Sequence, residues 1–131
     1  MPETLPDRAK QLLDDKTFVT FATVNEDTTP QLTVHWVARD GDDIILSTVK
    51  GRRKERNLRR NPKASVLLID PANPYNYLEV RGTVSMTEEG GRELIDELHE
   101  KYHGSRPYPH DAAGAVRVIC RLTPDRVVFR G

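Results

Sequence analysis

The chain is a succession of short segments rich in β-branched and aromatic residues, separated by turn residues, with room for one long helix. Such runs, bounded by Gly, Pro, Asn and Asp, are typical of β-strands. The pattern predicts seven strands, at residues 17–24, 31–38, 43–46, 64–70, 77–86, 116–122 and 126–130. Because most are joined by short antiparallel connections, we expect a mainly β protein with helices (α+β), built as a small antiparallel barrel with helices at its rims.

Three helices are expected beside these strands. The first covers residues 5–16, and the second covers residues 52–60 and is stopped by Asn61-Pro62. The main helix is capped by Thr87 and ends at Gly104. Apolar residues at helical spacing define its inner face: Leu94, Ile95, Leu98 and Tyr102.

Size and composition point to one small domain. The 131 residues suffice for one modest core, so residues 1–131 are expected to form a single cofactor-binding domain. A hydrophobic content of 37% is lean, which suggests that some apolar burial occurs between subunits. The sequence has no signal peptide and no apolar run long enough for a bilayer, so a cytoplasmic protein without membrane partners is expected. The single cysteine, Cys120, fits a reducing compartment.

Positive charge is concentrated between residues 50 and 63. The chain has 20 Lys and Arg against 20 Asp and Glu, yet this stretch contains eight cations and one anion, Glu55. The cations are Lys50, Arg52, Arg53, Lys54, Arg56, Arg59, Arg60 and Lys63. A neutral protein with one concentrated positive zone is suited to hold an anion locally.

The same stretch has the expected form of an anion site. A strand, a turn at Gly51 and a helix start would bring free N–H groups together with the hydroxyls of Ser47 and Thr48 and the Lys50 ammonium. Residues within about one helical turn of the start are expected to contact the ligand: Arg53, Lys54 and Asn57. Arg56, Arg59 and Arg60 are expected to face solvent, because a helix cannot point every side chain one way.

The second predicted strand alternates in character. Leu32, Val34, Trp36 and Ala38 face one way, while Gln31, Thr33, His35 and Val37 face the other. An uncharged polar strand face next to a basic turn would suit a flat heteroaromatic ligand. An ordinary sheet with one wet side explains the alternation equally well.

Other chemical patterns are weak. His99 and His103 have the i, i+4 spacing of zinc ligands but lack a defined third ligand, so no metal is expected. Cys120 alternates with Val118 and Leu122, as a buried apolar residue would. Catalytic triads and Gly-rich nucleotide motifs are absent. An anion site without acid–base residues favours a cofactor that brings its own chemistry.

Two motifs carry a family resemblance: the Ser-Thr…Arg-Lys…Asn-Leu…Asn-Pro block at residues 47–62, and Asn-Pro-Tyr-Asn-Tyr-Leu-Glu-Val-Arg-Gly at residues 73–82. With the order of the strands, they resemble the pyridoxamine 5′-phosphate oxidase-like split β-barrel superfamily, which has an FMN-binding-like fold. More narrowly, the chain is similar to the actinobacterial flavin/deazaflavin oxidoreductase group B, whose members use coenzyme F-420.

The resemblance implies a homodimer with cofactor sites between the subunits. Residues matching the positions that hold the cofactor's phosphate and acidic tail are Thr48, Arg53, Lys54 and Asn57. Residues matching the strand edge beside the deazaflavin ring are Pro30, Gln31, Leu32 and Thr33. Tyr75 and Tyr77 would approach the ring from the partner chain.

The implied function is hydride transfer from reduced F-420 to an unsaturated small molecule of the enone, quinone, lactone or tetrapyrrole type. Candidates for the substrate side are His35, Tyr102, Tyr108 and His110. Eight cations suit the extended polyanion F-420 better than FMN, which ends in a single phosphate. An FMN-dependent reductase or oxidase and a non-catalytic deazaflavin, flavin or haem carrier are the alternatives. Nucleic-acid binding is disfavoured, because the net charge is zero and no aromatic residue lies between positions 47 and 63.

Overall fold

One antiparallel sheet of seven strands organises the computed structural model, which describes residues 2–131. The strands are β1 (Val19–Val24), β2 (Pro30–His35), β3 (Ala38–Asp40), β4 (Asp43–Val49), β5 (Lys63–Ile69), β6 (Tyr77–Thr87) and β7 (Arg117–Arg130). Their order in the sheet is β2-β1-β5-β6-β7-β4-β3. The sheet curves into an open barrel, so the predicted α+β split-barrel fold is confirmed.

Three helices pack on this sheet: α1 (Asp7–Asp14), α2 (Arg53–Arg60) and α3 (Gly91–His103). The predicted capping of α3 by Thr87 is wrong, because Gly90 adopts a left-handed φ of 78° and the helix begins after it. A Cβ atom on Gly91 would lie 2.2 Å from the carbonyl oxygen of Arg117. The start of α3 therefore sits directly against the first residue of β7.

The predicted second strand is divided into β2 and β3. Both backbone groups of Val37 are bound by side chains of α3: Tyr102 Oη accepts from its N–H at 3.1 Å, and Lys101 Nζ donates to its carbonyl at 2.7 Å. Because α3 satisfies these groups, the chain can leave the edge of β1 at His35 and join β4 from Ala38 onward.

The two predicted C-terminal strands form one continuous strand, β7. Gly82 pairs with Pro124 whereas Arg81 pairs with Arg126, so Asp125 is an extra residue in a β-bulge. Pro124 was expected to end the strand, since proline lacks a ladder N–H. The bulge accommodates it.

Two apolar clusters lie on opposite sides of β4. Ile44 and Leu46 belong to the barrel core, together with Phe21, Leu68 and Leu122. Ile45 faces the other way and packs with α3 in a second cluster: Ile45, Leu94, Ile95 and Leu98, with Trp36 against them. This alternation directs Ser47 toward α3 and Thr48 toward the barrel interior.

No helix in the described residues 2–131 combines the length and the apolarity that crossing a membrane requires.

Candidate functional site

The joint between β4 and α2 is held partly by the chain's own groups. Gly51 has a φ of 94°, and its N–H donates to Glu55 Oε1 at 2.8 Å. The Lys50 N–H donates to the Val116 carbonyl at 2.9 Å. The predicted set of free N–H groups at this joint is therefore smaller than expected, because the buried Glu55 carboxylate already binds at the helix end.

Side chains of α2 and its joint diverge in three directions. Arg52 and Lys54 line a cavity of about 260 Å³ that extends toward α3. Arg53 and Asn57 line a smaller concavity of about 170 Å³, together with Arg56, Arg60 and Glu26. Lys50 pairs with Glu88 at 3.1 Å and faces neither. The predicted cation cluster is thus divided among separate surfaces, because successive helical residues point about 100° apart.

The larger cavity, called the α3 cavity below, has a cationic end. Arg52 and Lys54 take part in no ion pair of the described chain. Burial first, and then the nearby charge of Arg52, lower the pKa of Lys54. Like charges that make no ion pair of their own favour binding of an anion, which would relieve their repulsion.

Ser47 completes the cationic end. Arg117 Nη1 donates to Ser47 Oγ at 3.3 Å, so the hydroxyl hydrogen of Ser47 remains free to donate to an anion. Arg117 itself is bound on both remaining sides by Asp111, with Nε–Oδ2 and Nη2–Oδ1 distances of 2.9 and 2.6 Å. The Arg117 guanidinium, acting mainly through these hydrogen bonds, lowers the pKa of Asp111.

The rest of the α3 cavity lining is aromatic and aliphatic. It includes Phe18, Val34, Trp36, Ile95, Leu98 and Tyr108. Trp36 stacks on Tyr102 at a centroid distance of 5.3 Å and meets the edge of Tyr108 at 5.9 Å. A cavity that combines cations with aromatic rings fits an anion attached to a flat group.

His35 also lines the α3 cavity. Its Nε2 is 3.1 Å from Thr33 Oγ1, and its ring meets Phe21 edge-on at 5.4 Å. Burial, followed by the charges of Lys54 and Arg52, lowers the pKa of His35 to about 4. The imidazole is therefore neutral near pH 7 and adds no charge to the cavity.

The predicted ring-side residues lie on the edge strand β2. Pro30 and Leu32 are exposed, while Gln31 Oε1 accepts from the buried Thr23 hydroxyl at 3.1 Å and Thr33 contacts His35. These side chains do not line the α3 cavity. Leu32 and Val34 are 63% and 72% exposed, so the apolar face of β2 is the outer one.

The other predicted cofactor contacts lie elsewhere. Asn57 is buried and donates to Thr23 Oγ1 and Asn25 Oδ1 at 3.1 and 3.0 Å. Thr48 faces the barrel interior, and within residues 2–131 its hydroxyl is the buried side-chain group left without a hydrogen-bond partner. Tyr75 is 77% exposed in the loop before β6, and Tyr77 is half-buried at the start of that strand.

The structure separates the four substrate-side candidates. His35 and Tyr108 line the α3 cavity. Tyr102 is occupied, because its hydroxyl donates to the Thr17 carbonyl and accepts from Val37. His110 packs against the outer side of Tyr108 at a centroid distance of 5.5 Å and does not line the cavity.

Sequence reasoning missed Arg52 and Arg117 as site residues. Arg52 was counted among the cations but was not selected, because its direction depends on the turn before α2. Arg117 opens a strand of apolar residues and is buried to 7% exposure. An arginine at the start of such a strand with an aspartate six residues upstream was the available signal.

Neither thiol nor metal chemistry is evident. Burial raises the pKa of Cys120 to about 12, which leaves the thiol unreactive. The ring centroids of His99 and His103 lie 5.1 Å apart beside Trp36. Across the described part of the chain, no group of three or more His, Cys, Asp or Glu residues could hold a metal ion.

Comparison with known families explains this arrangement. The sequence profile described as pyridoxamine 5′-phosphate oxidase matches residues 5–131. The chain belongs to the pyridoxamine 5′-phosphate oxidase family. Its split barrel is the fold of this family, and the recognition made from the two motifs is confirmed.

Three solved structures are similar to this chain. An F-420 reductase is 33% identical, with a TM-score of 0.83, and the match covers 95% of this chain and 98% of that one. A conserved hypothetical protein from Mycobacterium tuberculosis is 26% identical, with a TM-score of 0.78 and coverages of 96% and 84%. General stress protein 26 from Bacillus anthracis is 17% identical, with a TM-score of 0.68 and coverages of 91% and 88%, which shows a shared fold alone. The family match and the similarity to the F-420 reductase together fit an oxidoreductase with a flavin-type or deazaflavin cofactor.

Proposed function

We propose that this member of the pyridoxamine 5′-phosphate oxidase family is an F-420-dependent reductase that transfers hydride to an unsaturated small molecule. One observation carries the proposal. Arg52 and Lys54, which take part in no ion pair of the described chain, line a cavity whose other walls are largely aromatic and aliphatic. It occurs in a chain 33% identical to an F-420 reductase.

The residues of the α3 cavity fit the cofactor's phosphodiester. Arg52 and Lys54 would bind its charge, and Ser47 would donate a hydrogen bond from its free hydroxyl hydrogen. The Arg53–Asn57 concavity, with three arginines around it, would suit the carboxylates of the acidic tail. When bound in its reduced form, F-420 supplies the hydride, and the protein binds, orients and excludes water.

A second copy of the chain would complete the site. The α3 cavity of about 260 Å³ is smaller than the roughly 300–1,000 Å³ of ligand pockets, so one subunit encloses only part of such a cofactor. The cavity opens onto an exposed apolar patch, called the β2 patch, formed by Leu32 together with Phe18 and Val34, two residues that also line the cavity. Pairing of two β2 patches would bury these side chains and bring Tyr75 and Tyr77 of the partner toward the ring.

The first experiment is a titration of the purified protein with F-420 and with FMN, followed by cofactor fluorescence. We expect F-420 to bind more tightly. Lys54→Ala and Arg52→Ala should each weaken F-420 binding by about 10- to 100-fold, the loss typical of one charge-assisted contact. Lys63→Ala removes the same charge from a side chain bonded to Thr83 outside the cavity, and should change the affinity less than about twofold.

Two results would change the assignment. Tighter binding of FMN would favour an FMN-dependent reductase or oxidase on the same barrel. Binding of F-420 without reduction of quinones, enones or biliverdin-like acceptors would favour a carrier.

A further inference from the structure

The loop between α3 and β7, residues 105–113, is irregular yet firmly attached. Its central residue, Tyr108, has both backbone groups bound by α3: the N–H donates to Asp96 Oδ1 at 2.9 Å, and Arg92 Nη2 donates to the carbonyl at 2.6 Å. Asp111 is bound by Arg92 at 3.0 Å as well as by Arg117. A surface loop held this tightly positions one particular side chain.

Arg117 acts inside the protein and is not a free ligand group. Its three donor directions are used by Asp111 and Ser47, and its side chain is only 5% exposed. The guanidinium carbon lies 5.0 Å from the centroid of the Tyr108 ring. Breaking this arrangement would leave a buried charge unpaired, so Arg117 and Asp111 hold the Tyr108 ring in place.

The Tyr108 ring lines the α3 cavity beside Arg117, the first residue of β7. It also meets the Trp36 ring at a centroid distance of 5.9 Å, with the two ring planes at 88°. Its hydroxyl makes no hydrogen bond with any of the residues that the structure describes, whereas the Tyr102 hydroxyl makes two. Tyr108 therefore presents both a ring face and an unused donor to an occupant of the cavity.

We propose that Tyr108 selects the acceptor substrate, a flat conjugated carbonyl compound such as a quinone, and that the Asp111–Arg117 pair is its positioning device. The proposal rests on the proposed function. A planar acceptor lies against the Trp36 ring, and Tyr108, whose ring stands at 88° to Trp36, meets the edge of the acceptor, where its hydroxyl donates a hydrogen bond to the carbonyl oxygen. This bond strengthens as negative charge grows on that oxygen.

The acceptor gains one hydride from the reduced cofactor and one proton from water. The cofactor loses two electrons with the hydride and is thereby oxidised. Tyr108 donates a hydrogen bond and keeps its own proton. Loss of the hydroxyl should therefore affect kcat, and loss of the ring should affect KM.

The test uses the protein with reduced F-420 and two acceptors: menadione, a flat bicyclic quinone, and 2-cyclohexen-1-one, a small puckered enone. We expect Tyr108→Phe to lower kcat for menadione at least tenfold with KM changed less than about twofold. Tyr108→Ala should raise KM for menadione about tenfold and abolish the preference for menadione. Asp111→Asn should also lower the preference for menadione, measured as kcat/KM for menadione divided by kcat/KM for 2-cyclohexen-1-one. The Kd for F-420 should stay within about twofold in Tyr108→Phe, which keeps the ring and leaves the Asp111–Arg117–Ser47 contacts untouched.

Arg106→Ala is the matched control. Arg106 belongs to the same loop but pairs with the exposed Glu100 at 2.9 Å, away from the cavity, so its loss should leave the acceptor ratio unchanged. Variants that bind F-420 and retain the wild-type ratio and KM would overturn the assignment of Tyr108. A wild-type protein that binds F-420 but does not reduce menadione would overturn it too. Failure to bind F-420 at all would instead remove the proposed function, and with it this inference.

Discussion

At the scale of single residues, His35 shows how one buried group sets a pH response. The imidazole lies beside Lys54 and Arg52 in a cavity with little water, and both conditions oppose its protonation. Its pKa of about 4 in the folded protein compares with an ordinary value of 6.5. Below pH 6.5 the unfolded chain binds a proton that the folded chain does not, so folding becomes less favourable.

We therefore expect the free energy of unfolding to fall by about 2 kcal/mol between about pH 7 and pH 5 because of His35 alone, a loss that continues down to about pH 4. His35→Gln should remove this part of the slope in urea titrations at the two pH values. His110→Gln, at an exposed position, should keep it. An unchanged slope in His35→Gln would contradict the burial of the imidazole.

Residue direction was the hardest feature to predict. The sequence correctly indicated that Arg56, Arg59 and Arg60 are exposed, whereas the predicted cofactor contact of Lys54 stays a prediction. Arg53 and Lys54 are neighbours, however, and they line different concavities. Which of them meets the α3 cavity depends on how the turn at Gly51 sets the rotation of α2, and composition carries no information about that rotation.

At the scale of elements, the long β6–β7 pair connects the fold to the site. Gly82 faces the bulge at Pro124–Asp125, where a Cβ would lie 2.1 Å from the Thr123 carbonyl oxygen. That approach is possible only for glycine. The seven-strand count was predicted, but the continuity of β7 was missed, because a bulge can absorb a proline only when the opposite residue allows close approach.

Gly82→Ala should therefore lower the free energy of unfolding by about 1–3 kcal/mol, because the backbone of β7 must shift to relieve the overlap. The urea midpoint of unfolding would measure this loss. Ser85→Ala, at an exposed position of the same strand, should move the midpoint little. Equal midpoints for the two variants would show that β6 and β7 are farther apart here than the structure has them.

At the scale of the whole molecule, the sheet ends in an unprotected strand. β2 lies at one edge of the sheet, and its outer face presents Leu32 and Val34 beside Phe18. Edge strands with exposed apolar side chains are usually covered in the native assembly. Because the net charge is zero, two copies of the chain do not repel each other through their overall charge.

If two β2 patches pair, Leu32→Glu, at a patch position that does not line the α3 cavity, should convert a dimer into a monomer, because each interface would have to bury two unpaired carboxylates. Size-exclusion chromatography with light scattering would report the mass. Binding of F-420 should weaken together with dimerisation. Val116→Glu is the control, since it places the same charge at an exposed apolar residue outside the patch. A monomeric wild-type protein would refute the pairing.

The position of Trp36 has a practical consequence. It is the only tryptophan of the chain, and it lines the α3 cavity in contact with Tyr102 and Tyr108. All tryptophan fluorescence of the protein therefore comes from one indole in the wall of the cavity. A colour-bearing occupant would quench that emission by energy transfer, so the protein contains its own unlabelled reporter of occupancy.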